Sequence, residues 1–293
     1  MDRDESHGRA LAIGAAVIIV AGVGAAFWML HPFHRKFDLI DLAVYRAAGK
    51  AVLHGHSVFG GYVGQQLRVR LPFIYPPFSA VLAIPFTLMG QTLASFVWTA
   101  VTLGLLLGVV RYSVEPLSEK YGTPLAVGIG LLAALALSPV QENLRFGQLG
   151  IALMACCVFD CMMPRTRWPR GALIGVATAV KLVPGIFIVY LFFTKRVRAS
   201  AVAVATFAAC TFIGLCADFS DSVDFFTSRM FKPTSPKYFS NQSLEGMLER
   251  ATSLWRLPWL PIAAFVFVYG MWHATRASRQ GDELRGVAIT GLV

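Results

Sequence analysis

Two carboxylates, an aromatic ring and a base fall within nine residues at Asp38-Leu39-Ile40-Asp41-Leu42-Ala43-Val44-Tyr45-Arg46. An aspartate at a helix start commonly serves as an N-cap, accepting orphan backbone N–H bonds. Three residues apart, Asp38 and Asp41 can also share one side of a turn, one capping and the other facing a cavity. Lys181 is the second group that attracts notice. It lies near the middle of an apolar run, about 15 Å from either end at about 1.5 Å per residue. That is too deep to snorkel, and a charge at mid-helix costs about 2.5–3.5 kcal/mol on insertion scales. Either Lys181 faces a polar cavity, or it is half of a buried ion pair with Asp160 or Glu142. The Arg145-Phe146-Gly147-Gln148 and Ser240-Asn241-Gln242-Ser243 clusters carry amides, which suit sugar hydroxyls and equally suit loop capping. Asn241-Gln242-Ser243 also spells a short glycosylation sequon. His54 and His56 flank Gly55, but two ligands alone make a poor metal site, so they read as loop histidines. Cys156, Cys157, Cys161, Cys210 and Cys216 all sit in apolar runs and read as packing residues. No zinc-type cysteine spacing, P-loop or dinucleotide fingerprint is present, and no metal or cofactor is expected.

The elements that must hold these groups are membrane helices. The chain has 293 residues, 56% of them hydrophobic and 14% charged, far more apolar than a soluble domain. Several runs approach or exceed the roughly 20 apolar residues that cross a bilayer. The expected fold is all-α, a polytopic transmembrane helical bundle forming a single domain over 1–293. Lys and Arg outnumber Asp and Glu by 26 to 16, for a net charge of +10. The bases flank apolar spans, so the partners expected are anionic lipid head groups and phosphate-bearing lipids, not nucleic acid.

The runs suggest about eight spans and a partial ninth: 9–30, 73–89, 92–112, 122–138, 149–163, 171–193, 199–217 and 258–275, then an eight-residue apolar stub at 286–293. The stub is too short to cross and reads as the start of a helix in a shortened chain. The first span is read as retained, since it exceeds a signal core. The large polar loops 31–71 and 218–257 fall on one face, the outside if the N-terminus is cytoplasmic. The positive-inside tendency gives that orientation a weak vote, with Lys195, Arg196 and Arg198 inside. Within the first loop, 41–53 has Leu42, Tyr45, Gly49, Val52 and Leu53 on one side and Arg46 and Lys50 on the other, which predicts a juxtamembrane amphipathic helix stopped by Gly55. Segment 113–121 reads as a polar loop, and the polar 139–148 stretch lies between spans short enough to be re-entrant.

Five motifs then occur in order: Asp41-Leu-Ala-Val-Tyr45, Phe73-Ile-Tyr-Pro-Pro-Phe78, Arg145-Phe-Gly-Gln148, Lys181-Leu-Val-Pro184 and Asn241-Gln-Ser-Leu-Glu-Gly246. Together they resemble the bacterial polyprenol-phosphate-mannose-dependent α-(1→2)-mannosyltransferases of the integral-membrane GT-C superfamily. The resemblance implies a multi-pass plasma-membrane enzyme with an active site facing outside. Its donor is a polyprenyl-phosphate sugar and its acceptor a mannosyl glycolipid. By the family's acidic-Leu-x-x-Tyr motif, the catalytic aspartate is Asp41. Tyr45, Arg68, Tyr75, Arg145, Gln148, Lys181, Asn241 and Gln242 are the candidate substrate contacts, with Arg68, Arg70, Arg145 and Lys181 available to balance a lipid phosphate. An arabinofuranosyltransferase of the same superfamily, an inactive remnant and a transporter are the alternatives. The transporter lacks the internal repeat that many show.

Overall fold

The computed structural model describes residue 24, residues 39–60, 62–63, 70–231 and 259–293. The first predicted span (apart from residue 24), Asp38, Arg68, Asn241 and Gln242 lie outside the described residues.

Helix α1, Ile40–Leu53, is the predicted juxtamembrane helix. It buries Leu42, Val44, Tyr45, Ala48 and Gly49, whereas Leu53 is exposed rather than on the packed side. Gly55 ends it at φ 66°, the left-handed region that a glycine enters without penalty. Arg46 does not face away from the protein as the helical pattern predicts. Its Nε donates to the Phe86 carbonyl at 2.8 Å and an Nη group to the Met89 carbonyl at 2.6 Å, with Gln91 as a third partner. One guanidinium thereby satisfies carbonyls left over at a helix end. Residues Tyr62–Val63 (β1) and Arg70–Leu71 (β2) pair antiparallel, a two-residue ribbon beside the helices that make up most of the described residues.

Helix α2, Pro77–Thr87, is eleven residues long, shorter than the predicted 73–89 span. Pro77 stands in its first turn, where the missing N–H costs nothing. Helix α3, Gln91–Ser113, is close to prediction. The predicted 113–121 loop is instead a short helix, α4, Glu115–Tyr121. Helix α5, Thr123–Ala136, runs into α6, Ser138–Phe146, across a 75° bend at Leu137. Pro139 explains the bend, because a proline in the first turn of α6 cannot extend the helix before it. Helix α7 is Gly150–Met162.

The predicted sixth span is interrupted. Helix α8, Ala172–Val180, stops at an extended Lys181 (φ −150°, ψ 131°), a single 3-10 turn covers Val183–Gly185, and α9, Ile186–Phe193, resumes. Lys181 is therefore not a mid-helix residue. It sits at the break between two half-length helices, where Pro184 lacks the N–H needed to continue the ladder.

Helix α10, Val197–Ala217, packs against α8. The contact is made of small residues. A Cβ on Gly171 would lie 2.0 Å from the Ala199 carbonyl oxygen, and one on Gly175 2.5 Å from that of Ala203. Small residues four apart on both helices let their backbones touch, the usual device for helix association without a hydrophobic drive. Helix α11, Phe219–Thr227, is capped by Asp218, whose carboxylate accepts from Asp221 N–H at 3.0 Å.

Helix α12, Trp259–Arg279, runs past the predicted 258–275 span, and α13, Glu283–Leu292, folds back upon it. All but the last residue of the apolar 286–293 segment thus belongs to a helix that packs through Gly286, Val287 and Thr290. Glu283 fastens it, accepting from Tyr190 Oη at 2.9 Å and Ser278 Oγ at 2.7 Å and pairing with Arg196.

Among the described residues, α3 and α10 are each long and apolar enough to cross a membrane, and the bent α5–α6 pair is a third candidate. Their apolar surface supports an all-α membrane protein.

Candidate active site

Asp41 occupies the first turn of α1 without capping it. The residue at the cap position is Leu39, and no side chain caps the helix. Leu39 takes the left-handed conformation, φ 58° and ψ 37°, which costs a branched-chain L-residue about 1–2 kcal/mol. Two contacts compensate. Its N–H donates to the Arg145 carbonyl at 2.8 Å, and its side chain, 2% exposed, packs onto Gly147. Gly147 is itself at φ 69°, and a Cβ there would come within 2.8 Å of Leu39 Cδ2 and 3.2 Å of Leu42 Cβ. The start of α1 and the turn after α6 are therefore interlocked, and that lock sets Asp41 beside Gln148.

Gln148 is held from behind. Its N–H donates to the Asn143 carbonyl at 2.9 Å. In the orientation that satisfies both of its ends, the Asn143 side-chain amide donates to the Gln148 carbonyl at 3.2 Å and accepts from Gly150 N–H at 3.1 Å. Asn143 is 6% exposed, so it is a buried clamp on the turn. Composition marked the whole polar stretch but did not single it out.

Around the carboxylate, the Gln148 side-chain amide and the Lys181 charge both lie close enough to act on Asp41. Tyr45, one turn further along α1, has its hydroxyl 3.4 Å from that of Tyr75, with the rings edge to face at 5.6 Å. Lys181 Nζ stands 5.7 Å from the Tyr75 ring centroid, within cation–π range. Burial pushes the Asp41 carboxyl above its ordinary value, while the Gln148 amide and the Lys181 charge pull it back. Burial likewise raises the Tyr45 hydroxyl, and the neighbouring Tyr75 and Asp41 add to that, so Tyr45 stays neutral and can act as a hydrogen-bond group.

Among the described residues Lys181 forms no ion pair with either of the partners expected for it. Asp160 is engaged at the opposite end of α8, accepting from Trp168 Nε1 at 2.8 Å and Ile174 N–H at 2.9 Å. Glu142 is exposed on α6. The carboxylate whose charge acts on Lys181 is Asp41. Its place at the C-terminal end of α8 also sets the cation against the negative pole of that helix.

Two cavities meet at Lys181. A front cavity of about 410 Å³ is lined by Phe59, Phe73, Tyr75, Phe225 and Arg229 among others. A larger one of about 710 Å³ lies behind, with a mostly apolar wall that includes Met154, Phe187 and Val287. The front cavity is roofed by α11. Asp221 reaches across from that helix, accepting from Ser57 Oγ at 2.9 Å and from Val58 N–H at 2.6 Å. This tie joins the two large polar loops.

The candidate contacts are thus partly united. Asp41, Tyr45, Tyr75, Gln148 and Lys181 converge. Arg145 contributes its carbonyl to the α1 lock, while its guanidinium lies 5.4 Å from the Phe146 ring centroid. Arg68, Asn241 and Gln242 fall outside the described residues. His54 and His56 stack at 6.4 Å on the far end of α1, and no group of three metal-ligating side chains occurs among the described residues. Arg229, Asp221 and Ser57 were not singled out by sequence. They lack a motif, and only the folding of α11 over the first loop gives them a place.

A carboxylate with a raised affinity for protons, set near an amide and an ammonium at a cavity edge, can accept a proton next to an anion-binding group. Residues 73–293 match the family model described as glycosyltransferase family 87. A polyprenol-phosphate-mannose-dependent alpha-(1-2)-phosphatidylinositol mannoside mannosyltransferase of Mycobacterium tuberculosis is 30% identical over 299 residues, covering 94% of this chain and 70% of its own length. Its counterpart in Mycolicibacterium smegmatis is 32% identical, with 94% and 68% covered. A polyprenol-phosphate-mannose-dependent alpha-(1-2)-phosphatidylinositol pentamannoside mannosyltransferase of Mycobacterium tuberculosis is 30% identical over 243 residues, 80% of this chain and 56% of its own. No solved structure matches the chain.

Proposed function

The chain belongs to glycosyltransferase family 87, and from that premise we propose that it moves mannose from a polyprenyl phosphate to a mannose hydroxyl of a phosphatidylinositol mannoside-type glycolipid, with inversion. The work is done in the bacterial plasma membrane by a multi-pass chain, with loops 31–71 and 218–257 and the active site facing outside. The observation that carries this reading is the convergence of Gln148, Lys181, Tyr45 and Tyr75 on one carboxylate.

In the reaction, Asp41 takes the proton of the acceptor hydroxyl as its oxygen attacks the anomeric carbon. The bond from that carbon to the phosphate oxygen breaks, and polyprenyl phosphate leaves as an anion. Such a leaving group is stable without a general acid, so fixed cations suffice to stabilise it. Lys181 supplies one at the cavity edge. Gln148 fixes which carboxylate oxygen faces the acceptor, and the Tyr45–Tyr75 pair forms the wall against which the sugar lies. Arg68, Arg145, Asn241 and Gln242 complete the set of proposed substrate contacts.

Membranes carrying this chain are expected to transfer labelled mannose from polyprenyl-phosphate-mannose to a mannosyl glycolipid. Asp41→Asn keeps the shape of the side chain but cannot accept the proton. It should lower transfer about 10²–10⁴-fold with the melting temperature nearly unchanged. Substantial activity in Asp41→Asn would remove Asp41 from the role of base. Transfer from an arabinofuranosyl donor in place of the mannosyl one would replace the sugar.

A further inference from the structure

Among the described residues, the two charged side chains that line the front cavity, Lys181 and Arg229, are both cations. Arg229 follows α11 in a 3-10 turn, Arg229–Phe231. Its position is set three ways. The guanidinium carbon lies 4.0 Å from the centroid of the Phe59 ring, Nε is bound to Asp224, and α11 itself is anchored by the Asp221 tie to Ser57 and Val58. Stacking on a ring and fixing Nε orients the rest of the planar fork, which lowers the entropy lost when its Nη groups take a further ligand. Phe59 and Phe225 also stack on one another at 6.5 Å, 10° from parallel, so the platform is continuous with α11.

We propose that Arg229 is a second phosphate-binding residue, and that the front cavity holds a lipid-linked phosphate between Lys181 on its floor and Arg229 under its roof. An oriented guanidinium binds phosphate through two parallel N–H bonds, whereas an ammonium acts as a point charge. The pair thus combines direction from one side with charge from the other. The charge of Asp41 acts on Lys181, so Lys181 marks the end of the cavity nearest the proposed base. Arg229 sits on the element that closes the cavity, so phosphate binding and closure of α11 over the site support one another. This role rests on the mannosyl-transfer reading only for the identity of the lipid. The shared chemistry is a phosphate ester, which the donor carries as polyprenyl phosphate and the acceptor as a phosphatidylinositol diester.

The test is direct binding to the purified full chain in detergent, read by intrinsic fluorescence or thermal shift, with three probes: a short polyprenyl monophosphate, the matching uncharged polyprenol, and phosphatidylinositol. In Arg229→Gln the polyprenyl phosphate should bind at least tenfold more weakly, with polyprenol binding unchanged. A loss confined to phosphatidylinositol would assign the clamp to the acceptor phosphate. Wild-type affinity for both phospholipids overturns the proposal, as does an equal loss for polyprenol. Should Arg229→Gln be too unstable to measure, Arg229→Lys decides. It keeps the charge without the fork and should weaken phosphate binding, and wild-type affinity there overturns the proposal. Because no sugar transfer is measured, failure of the clamp is distinguishable from failure of the mannosyl-transfer reading.

Discussion

At the scale of the residue, the pH response of Asp41 is the sharpest consequence. Burial raises its affinity for protons, and the Gln148 amide and the Lys181 charge partly offset this. A base works only when deprotonated, so activity is lost as pH falls through its folded-state value. Because that value is raised, the acid limb of kcat/KM should lie above the value of an ordinary aspartate. Lys181→Met and Gln148→Leu each remove an influence that lowers it, so each should move the limb to still higher pH. An unmoved limb in both would mean that Asp41 is not the titrating base. Lys181 and Gln148 drew notice in the sequence because a cation and an amide are conspicuous in apolar surroundings, whereas Asp41, Tyr45 and Tyr75 were proposed as site residues only through the motifs that resemble the mannosyltransferases. Which carboxylate acts on Lys181 was not legible there. Asp41 and Asp160 are chemically alike in a string of letters, and only the Trp168 and Ile174 bonds show Asp160 already engaged at the other end of α8.

At the scale of the element, the α8–α10 contact is built on missing side chains. Gly171, Gly175, Ala199 and Ala203 bring two backbones together, with Ala199 and Ala203 at most 9% exposed. Gly175→Val would place methyl groups into the Ala203 carbonyl and the Thr206 side chain. It should destabilise the protein by about 1–3 kcal/mol or more, read as a lower melting temperature in detergent, and shift Lys181 at the end of the same helix. Gly104→Ala, with open space around the added carbon, should leave melting close to wild type. Apolar periodicity located α3, α7 and α10 within a few residues, since length and hydropathy define them. It merged α8 and α9 into one run, because the backbone break at Lys181 leaves hydropathy on both sides unchanged. The four-residue spacing of Gly171 and Gly175 was in plain view, but its partners on α10 are more than twenty residues away.

At the scale of the whole molecule, α10 gives the frame. Its 21 residues rise about 31 Å at 1.5 Å per residue, about the thickness of a bilayer core. Lys195 and Asp218 therefore stand at opposite ends of it, and Asp218 belongs to the side where α11 meets Ser57. With Cys216 replaced by Ser, cysteines at His56 and Thr227 should react together with an impermeant thiol reagent added to intact cells, and a cysteine at Lys195 should not. Labelling of Lys195 alone would invert the proposed orientation. The Ser57–Asp221 tie also has a consequence in the time domain. Its ends are separated by 164 residues of chain, roughly 8–33 s of synthesis at about 5–20 residues per second. Through that interval the nascent first loop carries Asp41 but none of the α11 roof. Lys181 emerges only late in the interval, so the ribosome delivers the base first, its counter-charge next and the closure last.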